Sequence, residues 1–292
     1  MNKLVKQAFT LIELLVVIAI IGILSGLIVV SMGGITTKAN IAKAQVFSNS
    51  LRNSLMLNLV SEWKLDEGSG ITTADSWSGG NTGTLIGATH LPTWKTDSDC
   101  INNSCIQFDG IDDYVRVLDN DNLDFGTGPF TLSLWAKSNE FKSTANIILK
   151  KATYIFNTTP GWGIQYANSP QKLYVGIANG TSSIQYNTGL DSFGWTFLGI
   201  TRRDNNEVYF IKNGTLVLLG TMPGDISNAS NLQIGGGSSS FSGLIDDIRI
   251  FNASMSMSEI KKQYYSGLNS MLANGTITRE EYSLKLMETA LR

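Results

Sequence analysis

Histidine and cysteine are nearly absent from this chain. Of its 292 residues one is histidine, His90, and two are cysteine, Cys100 and Cys105. A serine–histidine–aspartate triad would rest wholly on His90, which sits in the loop-like stretch ATHLPTW with no nucleophile-elbow motif beside it. The two cysteines find no further metal ligands nearby, so a structural zinc centre is not expected. The phosphate-cradling G-x-x-x-x-G-K-[ST] is missing, because Gly235-Gly236-Gly237 runs into serines and reads as a turn. A basic surplus is missing too. Five of the 22 basic and two of the 24 acidic residues lie in positions 1–62, leaving 17 against 22 beyond, a net charge of −5. Nucleic acid is therefore not the expected partner of that larger part, since phosphate binding needs a basic patch.

What the chain has is one long apolar run. No charged side chain occurs from Leu14 to Met32, yet Glu13 stands at its mouth. Phe9–Met32 is too long for a secretory signal core and no small-residue cleavage site follows. A helix of about 20 residues spans a bilayer core of about 30 Å, so a single membrane-spanning helix is expected. Lys3 and Lys6 favour a cytoplasmic N-terminus, a signal weakened by Lys38 and Lys43. A carboxylate at membrane depth costs roughly 2.5–3.5 kcal/mol and needs a reason to be there.

The stretch QAFTLIELLVVIAIIG resembles the N-terminus of a type IV prepilin, a family marked by FTLIE ahead of an apolar helix. The resemblance implies a leader Met1–Ala8 removed by a prepilin peptidase between Ala8 and Phe9, with Phe9 then N-methylated. Ala8 replaces the glycine that the family usually carries there. It also implies that Glu13 pairs with the new amine of a neighbouring subunit in a filament. Such a pair offsets part of the burial cost of both charges. The alternative is an interfacial glutamate reaching water at a helix end.

Beyond Gly33-Gly34 helical periodicity resumes, with stripes Ile35, Ala39, Ala42, Val46 and Phe47, Leu51, Leu55, Leu59, running to about Val60. From Trp63 the pattern changes to short β runs between turns. FTLSLWAK alternates Phe130, Leu132, Leu134 and Ala136 against Thr131, Ser133, Trp135 and Lys137, the period of a half-buried strand. Asn213-Gly214 is a hairpin signal. About a dozen strands without intervening helices predict an antiparallel sandwich or jelly roll. Ser256–Glu259 and Thr278–Glu281 are capping boxes ahead of two short helices, with Asn274-Gly275 as the stop between them.

WKLDEGSG, IQFDGIDDYVRV, FTLSLWAK and FSGLIDDIRIFNASMSMSEI resemble, in that order, the laminin-G-like and concanavalin A-like jelly roll. The resemblance implies two packed antiparallel sheets of the kind found in lectins. The expected class is α+β: a leader at 1–8, a pilin-type helix at 9–62, a jelly roll at 63–256 and a helical hairpin at 257–292. Glycosidases on such folds use paired carboxylates, several with an E-x-D-x-x-E strand that is missing here. Asp112-Asp113 and Asp246-Asp247 are adjacent pairs, expected on opposite faces of a strand and poor acid/base partners.

Related jelly rolls often hold calcium near their chain ends, which makes Glu67 and Asp246 candidate ligands; turn-capping acids are the alternative. Trp77, Trp94, Trp162 and Tyr166 fall in loops or at strand ends and are candidates for stacking on sugars. Trp63, Trp135 and Trp195 read as core. Cys100 and Cys105 lie outside the cytoplasm if the helix spans the membrane, so a disulfide is expected, with two free thiols as the alternative. The combined expectation is a non-catalytic filament subunit, first held in the cytoplasmic membrane and then extracellular. Its partners would be other pilins, the peptidase, an assembly platform, membrane lipid before assembly and surface glycans. A pseudopilin of a secretion or DNA-uptake apparatus, and a membrane-anchored glycan-processing enzyme, are the alternatives.

Overall fold

A computed structural model describes residues 11–12, 14–22, 56–77, 80–138, 144–151, 157–168, 171–190, 193–236 and 241–290. The chain divides into two compact units, Met1–Ser54 and Leu55–Arg292. In the first, residues 11–12 and 14–22 are helical (α1) and carry exposed Leu11, Ile12, Leu14, Ile18 and Ile21. No helix among the described residues is long and apolar enough to cross a membrane. Ala8, Phe9, Glu13 and the rest of the expected span lie outside the described residues.

The second unit is an antiparallel β-sandwich with a pair of C-terminal helices. Its strands, numbered along the chain, form two sheets. Sheet A runs in the order β14 (Thr215–Thr221), β13 (Glu207–Lys212), β12 (Phe193–Arg202), β7 (Phe130–Ser138), β16 (Ser242–Phe251), β5 (Ser104–Asp109) and β4 (Thr93–Thr96), with β1 (Leu59–Trp63) also paired to β16. Sheet B runs β11 (Ser183–Asn187), β10 (Gln171–Ala178), β9 (Gly161–Asn168), β8 (Ala145–Lys150), β15 (Leu232–Ile234), β6 (Tyr114–Val117), β3 (Gly83–Ile86) and β2 (Thr72–Thr73). Many neighbouring strands are distant in sequence, as a jelly roll requires. Asn213 and Gly214 both take positive φ, 46° and 78°, and make the predicted tight hairpin between β13 and β14.

The helix expected to run to about Val60 does not reach that position. Met56–Asn58 form a 3-10 turn and Leu59–Trp63 a strand against Ile248–Phe251. Leu59 continues a helical stripe in sequence, but pairing with β16 and burial of Trp63 decide its conformation. Tertiary context overrides a weak helical preference here.

The main core lies between the sheets and holds Phe130, Leu132, Leu134 and Ala136 of β7 together with Ile148 of β8, Ile164 of β9 and Val175 of β10. The other face of β7 is buried as well, which the half-buried reading of FTLSLWAK did not anticipate. Helix α2 (Met257–Ala273) and helix α3 (Arg279–Ala290) form the predicted hairpin, and α2 lies over sheet A. Tyr264 stacks on Trp135 at 5.5 Å between ring centres, and Ser133 donates to Gln263 at 2.9 Å. Gly267 permits the approach: a Cβ there would lie 2.5 Å from the Trp135 ring. Both predicted capping boxes are present. Ser256 and Glu259 bond each other's backbone, and so do Thr278 and Glu281.

Candidate functional site

Cys100 and Cys105 are joined in a disulfide, with Cα atoms 5.5 Å apart. The short loop they close is held from two sides. From β16, the Asp246 carboxylate accepts from the N–H of Ile101 at 2.8 Å and of Asn102 at 3.3 Å. From the α2–α3 turn, Asn274 Nδ2 donates to the Ile101 carbonyl at 3.1 Å and Thr276 Oγ1 to that of Cys100 at 2.8 Å. The bridge thus fastens the helical hairpin to sheet A.

Asp246 and Asp247 do not alternate across the strand as their adjacency predicts. The pairing of β16 with β7 shifts register between Asp246 and Arg249, and Asp247 takes a φ of 53°. The bulge leaves Ile245 and Ile248 in the core and both carboxylates buried beside the outer face. Burial, together with the charge of Asp247, pushes the Asp246 carboxyl well above its usual range. Burial also raises Asp247, against the opposing pull of Arg249. Arg249 reaches Asp247 at 2.7 Å and Glu62 at 2.8 Å. Glu62 is pushed up by burial but ends below its usual value, because Arg249 and the Ser76 hydroxyl favour its charge. This is an ion-pair network holding β1 to β16.

Glu67 caps a turn instead, accepting from Ala74 N at 2.7 Å and Thr73 Oγ1 at 3.4 Å. Among the described residues no group of three or more carboxylate, histidine or cysteine side chains is arranged to hold a metal ion. Glu67 and Asp246 each accept from backbone amides in this structure.

Two of the four aromatic candidates need correcting. Trp162 and Tyr166, each 1% exposed, lie in the main core. Trp162 packs against Phe130 at 5.8 Å and Tyr166 against Phe241 at 6.3 Å between ring centres. They stand two residues to either side of Ile164 and share its inward face of β9, an alternation already present in GWGIQY. Trp77 and Trp94 remain half-exposed, and Trp94 donates its indole N–H to the Gly70 carbonyl at 2.9 Å. His90 is an exposed loop residue.

The structure also assembles a group that the motifs did not single out. In β6 the valines Val115 and Val117 enter the core, so Tyr114 and Arg116 face outward. Strand register places Thr84 of β3 opposite Arg116 on one side and Gln233 of β15 opposite it on the other; Thr72 of β2 stands beyond Thr84. All are partly or fully exposed. No hydrogen bond or ion pair engages any of these five side chains among the described residues. Buried cations elsewhere in the sandwich are committed. Arg202 donates to the carbonyls of Gly126, Gly128 and Gly224, and Lys150 to Asp119, Asp124 and the Asn228 carbonyl. The alternation in YVRV is legible in sequence; the neighbours of Arg116 come from strands far apart in the chain.

A family model for the concanavalin A-like lectin/glucanases superfamily matches residues 109–261, more than half of the chain. The chain belongs to this superfamily. A second model, the prokaryotic N-terminal methylation motif of type IV pilins, matches residues 4–29. No curated protein matches the lectin-like chain in sequence. Among solved structures, its sandwich is similar to the binding domain of Paraclostridial Mosquitocidal Protein 1 (16% identity, TM-score 0.56), covering 74% of this chain and 53% of that one. It is similar to domain 4 of an extracellular arabinanase from Geobacillus stearothermophilus, solved with arabinotriose (18%, TM-score 0.52), covering 70% and 97%. It is similar, too, to Trypanosoma rangeli sialidase in complex with sialic acid (14%, TM-score 0.51), covering 71% and 33%. The lectin-like chain thus spans about half of the first of these and a third of the sialidase. These likenesses are of fold.

Proposed function

We propose that this chain is a structural subunit of a type IV pilus-like filament whose head binds glycans. One observation carries it: a prokaryotic methylation motif over residues 4–29 is joined, in a single chain, to a concanavalin A-like sandwich. Under this proposal a peptidase cuts between Ala8 and Phe9 and methylates Phe9. The apolar helix holds the subunit in the cytoplasmic membrane, and an assembly platform then packs it among other pilins. Glu13 pairs with the amine of a neighbouring Phe9, an arrangement that makes a carboxylate tolerable in a low-dielectric setting. The head faces outward and mediates adhesion through sugars, without catalysis. Two of the structures of like fold were solved with a saccharide, which supports glycans as the ligand class.

Mass spectrometry of the protein from its native cells tests the processing: the expected mature N-terminus is methylated Phe9. A chain still beginning at Met1 overturns the filament. Glu13→Ala is expected to insert and be cleaved, yet to leave little of the chain in sheared surface filaments. A normal filament yield from that variant would remove the pairing role.

A further inference from the structure

We propose that the outer face of sheet B around Arg116 is a binding site for carboxylated sugars, resting on the glycan-binding reading of the head. The arginine is the deciding group. A half-buried guanidinium is ordinarily committed to acceptors, as Arg203 and Arg249 are in this sandwich, and the fully buried Arg202 is too. Arg116 has no such acceptor among the described residues, although the residues beyond position 62 carry a net charge of −5. Its planar fork matches a carboxylate in bidentate fashion, which a neutral hydroxyl cannot reproduce.

The neighbours suit the rest of a sugar. Tyr114 stands two residues away on the same strand and face, about 7 Å along it, a separation comparable with one pyranose ring. Its ring is half-exposed, and an aromatic face of this kind packs on the apolar C–H face of a sugar. Thr84 and Gln233 flank Arg116 in register from both sides, and Thr72 extends the row. Between them they present two hydroxyls and one amide, each able to donate and to accept, as sugar hydroxyls require. Four adjacent strands fix these groups, so little ordering is needed on binding. Thr72, Thr84, Arg116 and Gln233 occupy one continuous row across β2, β3, β6 and β15, and a linear saccharide laid along it would keep its acid group at the arginine.

The test uses the full chain in detergent, titrated calorimetrically with 3′-sialyllactose and with tetragalacturonate. Each is compared with a neutral counterpart, lactose and the carboxyl-reduced tetrasaccharide. At least one carboxylated probe is expected to bind, and its neutral counterpart to bind roughly tenfold or more weakly. Arg116→Gln should abolish that preference, and Arg116→Lys, which keeps the charge but loses the fork, should retain only part of it. Gln233→Ala should weaken binding with the preference intact. Thermal unfolding of each variant should match the parent, because these side chains have no partners to lose. Equal binding of acidic and neutral probes, or an acid preference unmoved in Arg116→Gln, would overturn this site while leaving a glycan-binding head standing. Binding of none of the four saccharides would overturn the site and remove the support for the glycan-binding reading as well.

Discussion

The outer faces of the two sheets have opposite fates. That of sheet A is sealed: α2 lies over β7 and β12, Trp135 is caught between Phe197 and Tyr264, and the disulfide loop and Asn274 close one end. Several polar groups there are paired, as with Ser133 and Gln263 or Thr131 and the Ala253 carbonyl, while Trp135 Nε1 and the Tyr264 hydroxyl are buried without a hydrogen-bond partner among the described residues. On sheet B the strip formed by Thr72, Thr84, Arg116, Gln233 and Tyr114 carries polar groups with no protein partner among the described residues. A covered face must find most of its hydrogen-bond partners within the protein, whereas an open face leaves that to water or a ligand. The contrast separates a surface given over to stability from one free to bind.

The largest effect should come from breaking the seal. Trp135→Ala removes the side chain that both the sheet and α2 pack on, and is expected to cost about 3–5 kcal/mol in denaturant unfolding. A loss below about 1 kcal/mol would mean that the helical hairpin contributes little to the sandwich. Next comes the fastening. Replacing both cysteines by serine should cost about 2 kcal/mol, the lower part of the range for a short loop. It should also raise hydrogen exchange in α2 and α3 more than in sheet B; a uniform rise would show that the bridge does not act on the hairpin.

A smaller effect concerns the buried acids. Asp246 is raised well above its ordinary value by burial, and Asp113 is raised to about 7 by burial, with the carboxylate of Asp109 adding to it. In both, the folded protein holds a proton that the unfolded chain releases above roughly pH 4. Their contribution is therefore full below that pH and declines as pH rises, for Asp113 through a window closing near 7. One such group adds at most about 1.4 kcal/mol per pH unit. Glu62, lowered by Arg249, acts in the opposite direction and is lost on acidification. Subtracting the unfolding curve of Asp246→Asn from that of the parent isolates the first slope, and superimposable pH profiles would contradict it. The smallest stability effect belongs to the open face: Thr84→Val and Arg116→Gln should each shift unfolding by no more than about 0.5 kcal/mol. A larger loss would mean that these groups have structural partners after all.

Much of this architecture was legible from local pattern. Period-two alternation marked β7, Asn213-Gly214 marked a hairpin, and two capping boxes marked α2 and α3, because each signal depends on residues within a few positions of one another. The misreadings have two causes. Leu59 continues a helical stripe yet pairs with Phe251; Trp162 looked like a strand-end platform yet faces the core; Asp246 and Asp247 were expected on opposite faces until the bulge displaced them. For Leu59 and the two aspartates a contact with a remote strand overruled the neighbours in sequence, whereas Trp162 follows the local alternation of GWGIQY.

The amino-acid order by itself determined the apolar N-terminal run with Glu13 at its mouth, the strand content and the helix caps, since hydrophobic period and backbone capping are properties of short segments. The tertiary structure alone decided which outer face would be covered and which side chains would be left unpaired. Arg116, Thr84 and Gln233 meet through strand pairing across more than a hundred residues of chain, and hydrogen bonds and burial are settled by such neighbours in space.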